Sequence, residues 1–139
     1  MKTEITADQF ETARRTLLNL PFARLIGLEL IDMNPGEALI KLAVRDELRQ
    51  PHGLLHGGAT ATLIDTAMAF AVITVIGEND QASTVNLDVH YLRPVKGGEI
   101  FCTAKVIRFG KRVITVSAEV SDDAENLVAT ALSTYFRVS

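Results

Sequence analysis

The chain has 139 residues, 47% of them apolar, and a net charge of −3. That is the size of one ordinary domain, 1–139 with a helical segment over 1–26, and such a domain buries roughly 70% of its unfolded surface without staples. The acidic balance excludes a general nucleic-acid binder, the single Cys102 excludes a disulfide framework or a CxxC zinc site, and Met1-Lys2-Thr3-Glu4 opens no apolar leader, so a cytoplasmic protein is expected.

Thr6-x-x-Gln9 has the form of a capping box. Phe10, Ala13, Leu17 and Leu20 then recur at helical spacing, which predicts an amphipathic helix ending near Pro21. A turn over 22–26 stops at Gly27. Strands are predicted over 28–33 and 38–44, with the turn signal Asn34-Pro35-Gly36 between them. A loop over 45–55 carries Pro51 and Gly53. The most apolar stretch follows, a helix from Gly57 to about Ile76 ended by Gly77. Its length nears that of a membrane span, but Asp65 and four threonines interrupt it, and a buried core helix is expected instead.

Four strand patterns complete the chain. Val85, Leu87, Val89 and Tyr91 alternate with Thr84, Asn86, Asp88 and His90. Ile100, Cys102, Ala104 and Val106 mark the apolar face of the next run, and Ile114, Val116, Ala118 and Val120 that of the third. The run 127–138 is a strand whose inward face the pattern does not assign. Short connections join these four strands, so they are expected to be antiparallel neighbours. A helix apolar nearly all round must be covered on most sides, which one α+β sheet wrapped around one helix achieves.

Two features suggest chemistry. His56-Gly57-Gly58 stands where a loop becomes a helix, so free N–H groups and the helix dipole favour a developing oxyanion there. An ordinary glycine-rich helix start reads the same way. Asp65 is the only ionisable side chain between His56 and Glu78. A carboxylate in that setting must be hydrogen-bonded, paired or open to a cleft. It suits general-base work, although a structural Asp bonded to a loop would also satisfy the pattern. His52 and His56 have HxxxH spacing, but Pro51 and Gly53 oppose a helix there, so no metal site and no cofactor are expected. Cys102, on an apolar strand face, reads as packing. His90 and Asp88 lie on a polar face that fits solvent, a subunit contact or an active-site wall. Between residues 93 and 112, six cations (Arg93, Lys96, Lys105, Arg108, Lys111, Arg112) stand against Glu99 alone. Such a segment suits phosphates, or simply a solvated strand edge.

The run from Gln50 through His56-Gly57-Gly58 to Asp65 resembles the signature of hotdog-fold acyl-CoA thioesterases of the phenylacetate-degradation type. Thr84 to Pro94, with Tyr91-Leu92-Arg93-Pro94, resembles their third strand and its turn, and Gly110-Lys111-Arg112 their next hairpin. The likeness covers roughly residues 27–138. It implies a hotdog fold and hydrolysis of an acyl- or aryl-CoA to free acid and coenzyme A. Asp65 would act as general base or nucleophile and the Gly57 N–H as oxyanion donor. His56 would position the thioester, Gln50 would lie near the attacking water, and Thr84 would hold the acid or the water. Arg93, Arg108, Gly110, Lys111 and Arg112 would meet coenzyme A. It further implies a homodimer or dimer of dimers, with neither nucleic acid nor membrane as partner. Gln50 with Asp65 mixes two subgroups, since relatives with Gln often use Glu as the acid. A hotdog hydratase and a non-catalytic acyl-CoA-binding protein are the rivals: the first would pair a His with the acid in another loop, and the second would need no acid in the helix. Asp65 lies eight residues beyond Gly57, about 12 Å along a helix, too far for both to reach one carbonyl. Two antiparallel copies of the helix about a twofold axis would bring each Asp65 to the other chain's Gly57.

Overall fold

The computed structural model describes residues 4–138; residues 1–3, where a leader would begin, lie outside them. The elements are α1 (Ala7–Asn19), α2 (Pro21–Ile26), β1 (Leu28–Asn34), β2 (Glu37–Ala43), α3 (Gly57–Ile73), β3 (Gln81–Tyr91), β4 (Glu99–Phe109), β5 (Val113–Asp122) and β6 (Leu127–Val138). The capping box forms as the sequence indicates. The Gln9 N–H donates to Thr6 Oγ1 at 3.1 Å, and the Thr6 N–H to Gln9 Oε1 at 2.9 Å. The expected turn at 22–26 is a short helix, α2. Pro21 occupies its first position, where a missing N–H is harmless, and Gly27 closes it at φ 91.

All six strands form one antiparallel sheet in the order β1-β2-β4-β5-β6-β3. β4, β5 and β6 are successive antiparallel neighbours as expected, but the expectation that β3 and β4 are neighbours is corrected. β4 pairs with β2, and β3 pairs with β6 at the far edge. The reason lies in the connection between β3 and β4. The Leu92 N–H donates to Val128 O and the Leu55 N–H to Val95 O, so this segment is pinned across the end of the sheet instead of folding back as a hairpin.

The sheet wraps α3, which packs mainly over β2 and β4. Leu63, Ile64, Met68 and Val72 from the helix are buried with Ile40, Ile100, Ile114 and Val116 from the strands. Each large side chain contributes about 1.5–3 kcal/mol on burial. The helix stops at Ile73, short of the expected Ile76. The Thr74 hydroxyl donates to Ala71 O at 2.7 Å and accepts the Gly36 N–H at 2.6 Å, which ties the helix end to the β1–β2 turn. Among the described residues no helix is long and apolar enough to cross a membrane. Cys102 is fully buried, and burial pushes its thiol up to about 12, so it packs and does not react.

Candidate active site

The β3 alternation breaks at a bulge. Thr84 pairs with Tyr135, but Asn86 pairs with Thr134, so two residues of β3 oppose one of β6. Val85 is the extra residue and is 63% exposed. Thr84 therefore does not share the face of Asn86, Asp88 and His90, as strict alternation would require. It turns towards α3 together with Leu87, Val89 and Tyr91, while His90 faces away from Asp65.

This turn puts Thr84 on Asp65. The Thr84 hydroxyl donates to Asp65 Oδ1 at 2.9 Å. A second donor, absent from the expected set, is Tyr135. Its hydroxyl lies 3.0 Å from Asp65 Oδ1 and 3.0 Å from the Asp65 carbonyl oxygen, between which its one proton is shared. Burial, with the nearby carboxylate, pushes the Tyr135 phenol above its ordinary range, so it stays a donor. Both hydroxyls converge on Oδ1, and Oδ2 accepts no hydrogen bond from the described residues. The sequence does carry a faint signal for Tyr135. Ala129, Ala131, Ser133 and Tyr135 form a period-two set, and all are buried, but Leu132 and Phe136 on the other face are also apolar.

A second cluster forms around the start of α3. His56 caps the helix, its Nδ1 accepting the Gly58 N–H at 2.8 Å, which leaves the ring proton on Nε2. The Gly57 N–H has no acceptor among the described residues, as a first-turn amide commonly does not. A side chain at Gly57 would crowd this corner: a Cβ would stand 3.3 Å from the Tyr91 ring, whose hydroxyl donates to Gly57 O at 2.8 Å. Gln50, Gly57, Thr60, Tyr91 and Arg93 line one groove of about 290 Å³. The Gln50 side-chain oxygen also accepts the His52 N–H, which fixes the loop turn.

The remaining predicted residues, Arg108 excepted, divide between the two ends of the sheet. Phe109, Ile114, Tyr135 and Thr84 form one row across the sheet, so the β4–β5 hairpin lies at the Asp65 end. Lys111 and Arg112 line a groove of about 470 Å³ there with Phe136 and Arg137. Gly110 makes the hairpin tight, since a Cβ would meet Val113 O at 2.5 Å. Arg108 lines a different groove with Lys105 and Gly36. Arg93 stands with Gly57, at the other end of β4. One chain thus holds a carboxylate half (Asp65, Thr84, Tyr135) and an amide half (His56, Gly57, Gln50, Arg93), with Lys111 and Arg112 on the hairpin at the carboxylate end of the sheet, and does not bring the halves together.

Comparison with known proteins agrees with this architecture. The sequence pattern of the thioesterase superfamily matches residues 52–129. Human acyl-coenzyme A thioesterase 13 is 31% identical over 124 residues, 88% of this chain and 88% of its own. A solved mutant of the phenylacetic acid degradation protein PaaI from Thermus thermophilus superposes with a TM-score of 0.79 at 31% identity, covering 86% of this chain and all of the other (100%). The PaaI protein of the E. coli phenylacetic acid degradation operon shares the fold, with a TM-score of 0.86 at 24% identity over 97% of this chain and 96% of its own. This chain belongs to the thioesterase superfamily: it is a hotdog-fold thioester hydrolase of the PaaI-like type.

Proposed function

We propose that this protein hydrolyses an acyl-CoA to free acid and coenzyme A at sites shared between two copies of the chain. The observation that carries the reading is Asp65, with Oδ1 held by two hydroxyls and Oδ2 left to act. The single chain separates it from Gly57, so the shared arrangement supplies what one copy lacks. β3 is an edge strand, and the partly exposed stripe of α3 at Gly58, Ala61, Thr62, Asp65 and Ala69 is made of small residues. Both features suit a twofold partner laid antiparallel. The cations divided in one chain then meet: Lys111 and Arg112 at the Asp65 end of the sheet, with Arg93 of the partner subunit beside the partner's Gly57.

In this site Asp65 Oδ2 takes a proton from water as the water oxygen bonds to the thioester carbon. The carbonyl electrons move to oxygen, and the N–H of Gly57 of the partner subunit, at a helix N-terminus, stabilises that charge. The partner's Gln50 steadies the water. The oxyanion collapses, the C–S bond breaks, and the coenzyme A sulfur receives the proton that Asp65 holds. Acid and thiol leave, and Asp65 is again ionised.

The test of coenzyme A recognition follows free thiol release from an acyl-CoA and from the same acyl group on a short thiol lacking the nucleotide. Lys111→Ala with Arg112→Ala is expected to raise KM for acyl-CoA roughly 10-fold, with little change for the short thioester. Equal losses on both substrates would remove these cations from the site.

Tyr135 acts here as a positioning residue through Asp65. Tyr135→Phe keeps the ring and removes one donor to Oδ1. kcat is expected to fall about 10-fold with KM nearly unchanged, because the bond orients the reacting carboxylate and not the bound nucleotide. A rise in KM with kcat unchanged would count against that role.

A further inference from the structure

A groove of about 380 Å³ runs between α1 and the C-terminal part of α3, away from both halves of the site described above. Ile5, Ala13, Met33, Phe70 and Ile73 supply apolar walls. Ile73 is 50% exposed and is the exposed large apolar residue of α3. Two of the threonines lining the groove have their hydroxyls engaged elsewhere. Thr16 donates to Thr12 O at 2.8 Å, and Thr74 bonds Ala71 O and the Gly36 N–H. The groove therefore offers hydrocarbon rather than hydrogen bonds over much of its surface. Its ionisable members, Asp8 and Glu78, are exposed and both acidic.

A partly exposed strip of α3 runs from Asp65 towards the groove. Asp65, Ala69 and Ile73 follow at four-residue intervals, and Thr62 and Thr66 lie beside them. The hydroxyls of these two threonines donate to helix carbonyls, Thr62 to Gly58 O at 2.8 Å and Thr66 to Thr62 O at 2.7 Å. Their polar atoms are already satisfied, so the strip between Asp65 and the groove makes no demand on a ligand for hydrogen bonds. An antiparallel partner helix that places its Gly57 at Asp65 ends there, and the strip from Ala69 to Ile73 lies beyond it.

We infer that this groove receives the far end of an unbranched acyl chain whose thioester carbonyl lies at Asp65. The inference rests on the hydrolase site proposed above and names its substrate class. From Asp65 to Ile73 is about 12 Å along the helix axis. With C–C bonds of about 1.5 Å, a zigzag chain advances roughly 1.3 Å per carbon, so about ten carbons are needed to reach the groove. Shorter acyl groups stop on the strip and gain nothing from it. Asp8 and Glu78 repel a second carboxylate, so a chain ending in a carboxyl group is refused and a methyl end is accepted.

The experiment measures kcat/KM for butanoyl-, dodecanoyl-, ω-carboxydodecanoyl- and benzoyl-CoA in the full-length protein. Dodecanoyl-CoA is expected to lead butanoyl-CoA by at least about 10-fold, since each methylene fully removed from water adds roughly fourfold in affinity. The ω-carboxylated chain should lose most of that lead. Thr16→Phe fills the groove from an exposed helix position and is expected to lower the dodecanoyl-to-butanoyl ratio about 10-fold; Ile73→Asp, which places a charge in the wall, should lower the same ratio. A wild-type preference for butanoyl- or benzoyl-CoA would overturn the inference, and so would a ratio that neither variant moves. Those results leave hydrolysis intact and touch only the groove. A folded protein that cleaves none of the four esters would instead overturn the site itself, and the groove assignment with it.

Discussion

Turnover of the Asp65→Asn protein is expected to fall roughly 10²–10⁴-fold, the usual size of a general-base contribution. The substitution is a clean one for a structural reason. Thr84 and Tyr135 both donate to Oδ1, and an asparagine carbonyl oxygen at that place accepts both bonds equally. What changes is the second position, where a basic oxygen becomes an amide NH₂ that takes no proton. Both donors, the buried Tyr135 and the exposed Thr84, keep their partner, so the helix and the row from Phe109 to Thr84 should be preserved, and the melting temperature should stay near that of the wild type. Thiol release under saturating substrate, together with a melting curve, checks both halves of the statement. Near-normal turnover in a folded Asp65→Asn protein would remove Asp65 from the chemistry.

The second large effect is a recovery. Asp65→Asn and Gln50→Ala are each expected to be poorly active alone. Gln50 lines the groove of Gly57, whereas Asp65 stands with Thr84 and Tyr135, so the two substitutions damage different halves. When the variants are unfolded, mixed and refolded together, a mixed dimer carries one site built from both intact halves and one built from both damaged halves. Random pairing makes half of the dimers mixed, so activity should approach about a quarter of wild type. A mass tag on one variant verifies that mixed dimers form. Mixed dimers without a rise in activity would show that each site lies within one chain.

Much of the scaffold is legible in the residues because it depends on local rules. The Thr6–Gln9 capping box needs only one helical turn. The strict alternation of Ile100, Cys102, Ala104 and of Ile114, Val116, Ala118, Val120 places those residues inward, and all are buried. The same rule fails at Val85. A bulge is a relation between two strands, set when β6 pairs with β3, and β3 alone contains no mark of it. That single extra residue decides whether Thr84 meets Asp65 or solvent. The inward face of β6 is hidden for a related reason. Its outward side also carries Leu132 and Phe136, so hydrophobicity does not separate the faces, and Tyr135 is masked with them.

Two chemical centres are written in the order of the residues: a carboxylate in an apolar helix and a glycine pair at that helix's start. Spacing along a helix is a fixed length, so their separation of about 12 Å is set before any strand pairs. Their surroundings are a product of the folded chain. Folding brings Tyr135 to Asp65 across 70 residues and seats Arg93 with Gly57. It also carries Lys111 and Arg112 to the opposite end of β4 and moves β3 to the edge beside β6. These are long-range pairings whose energy comes from burying one helix inside one sheet, and that burial exists only once the strands have chosen their neighbours.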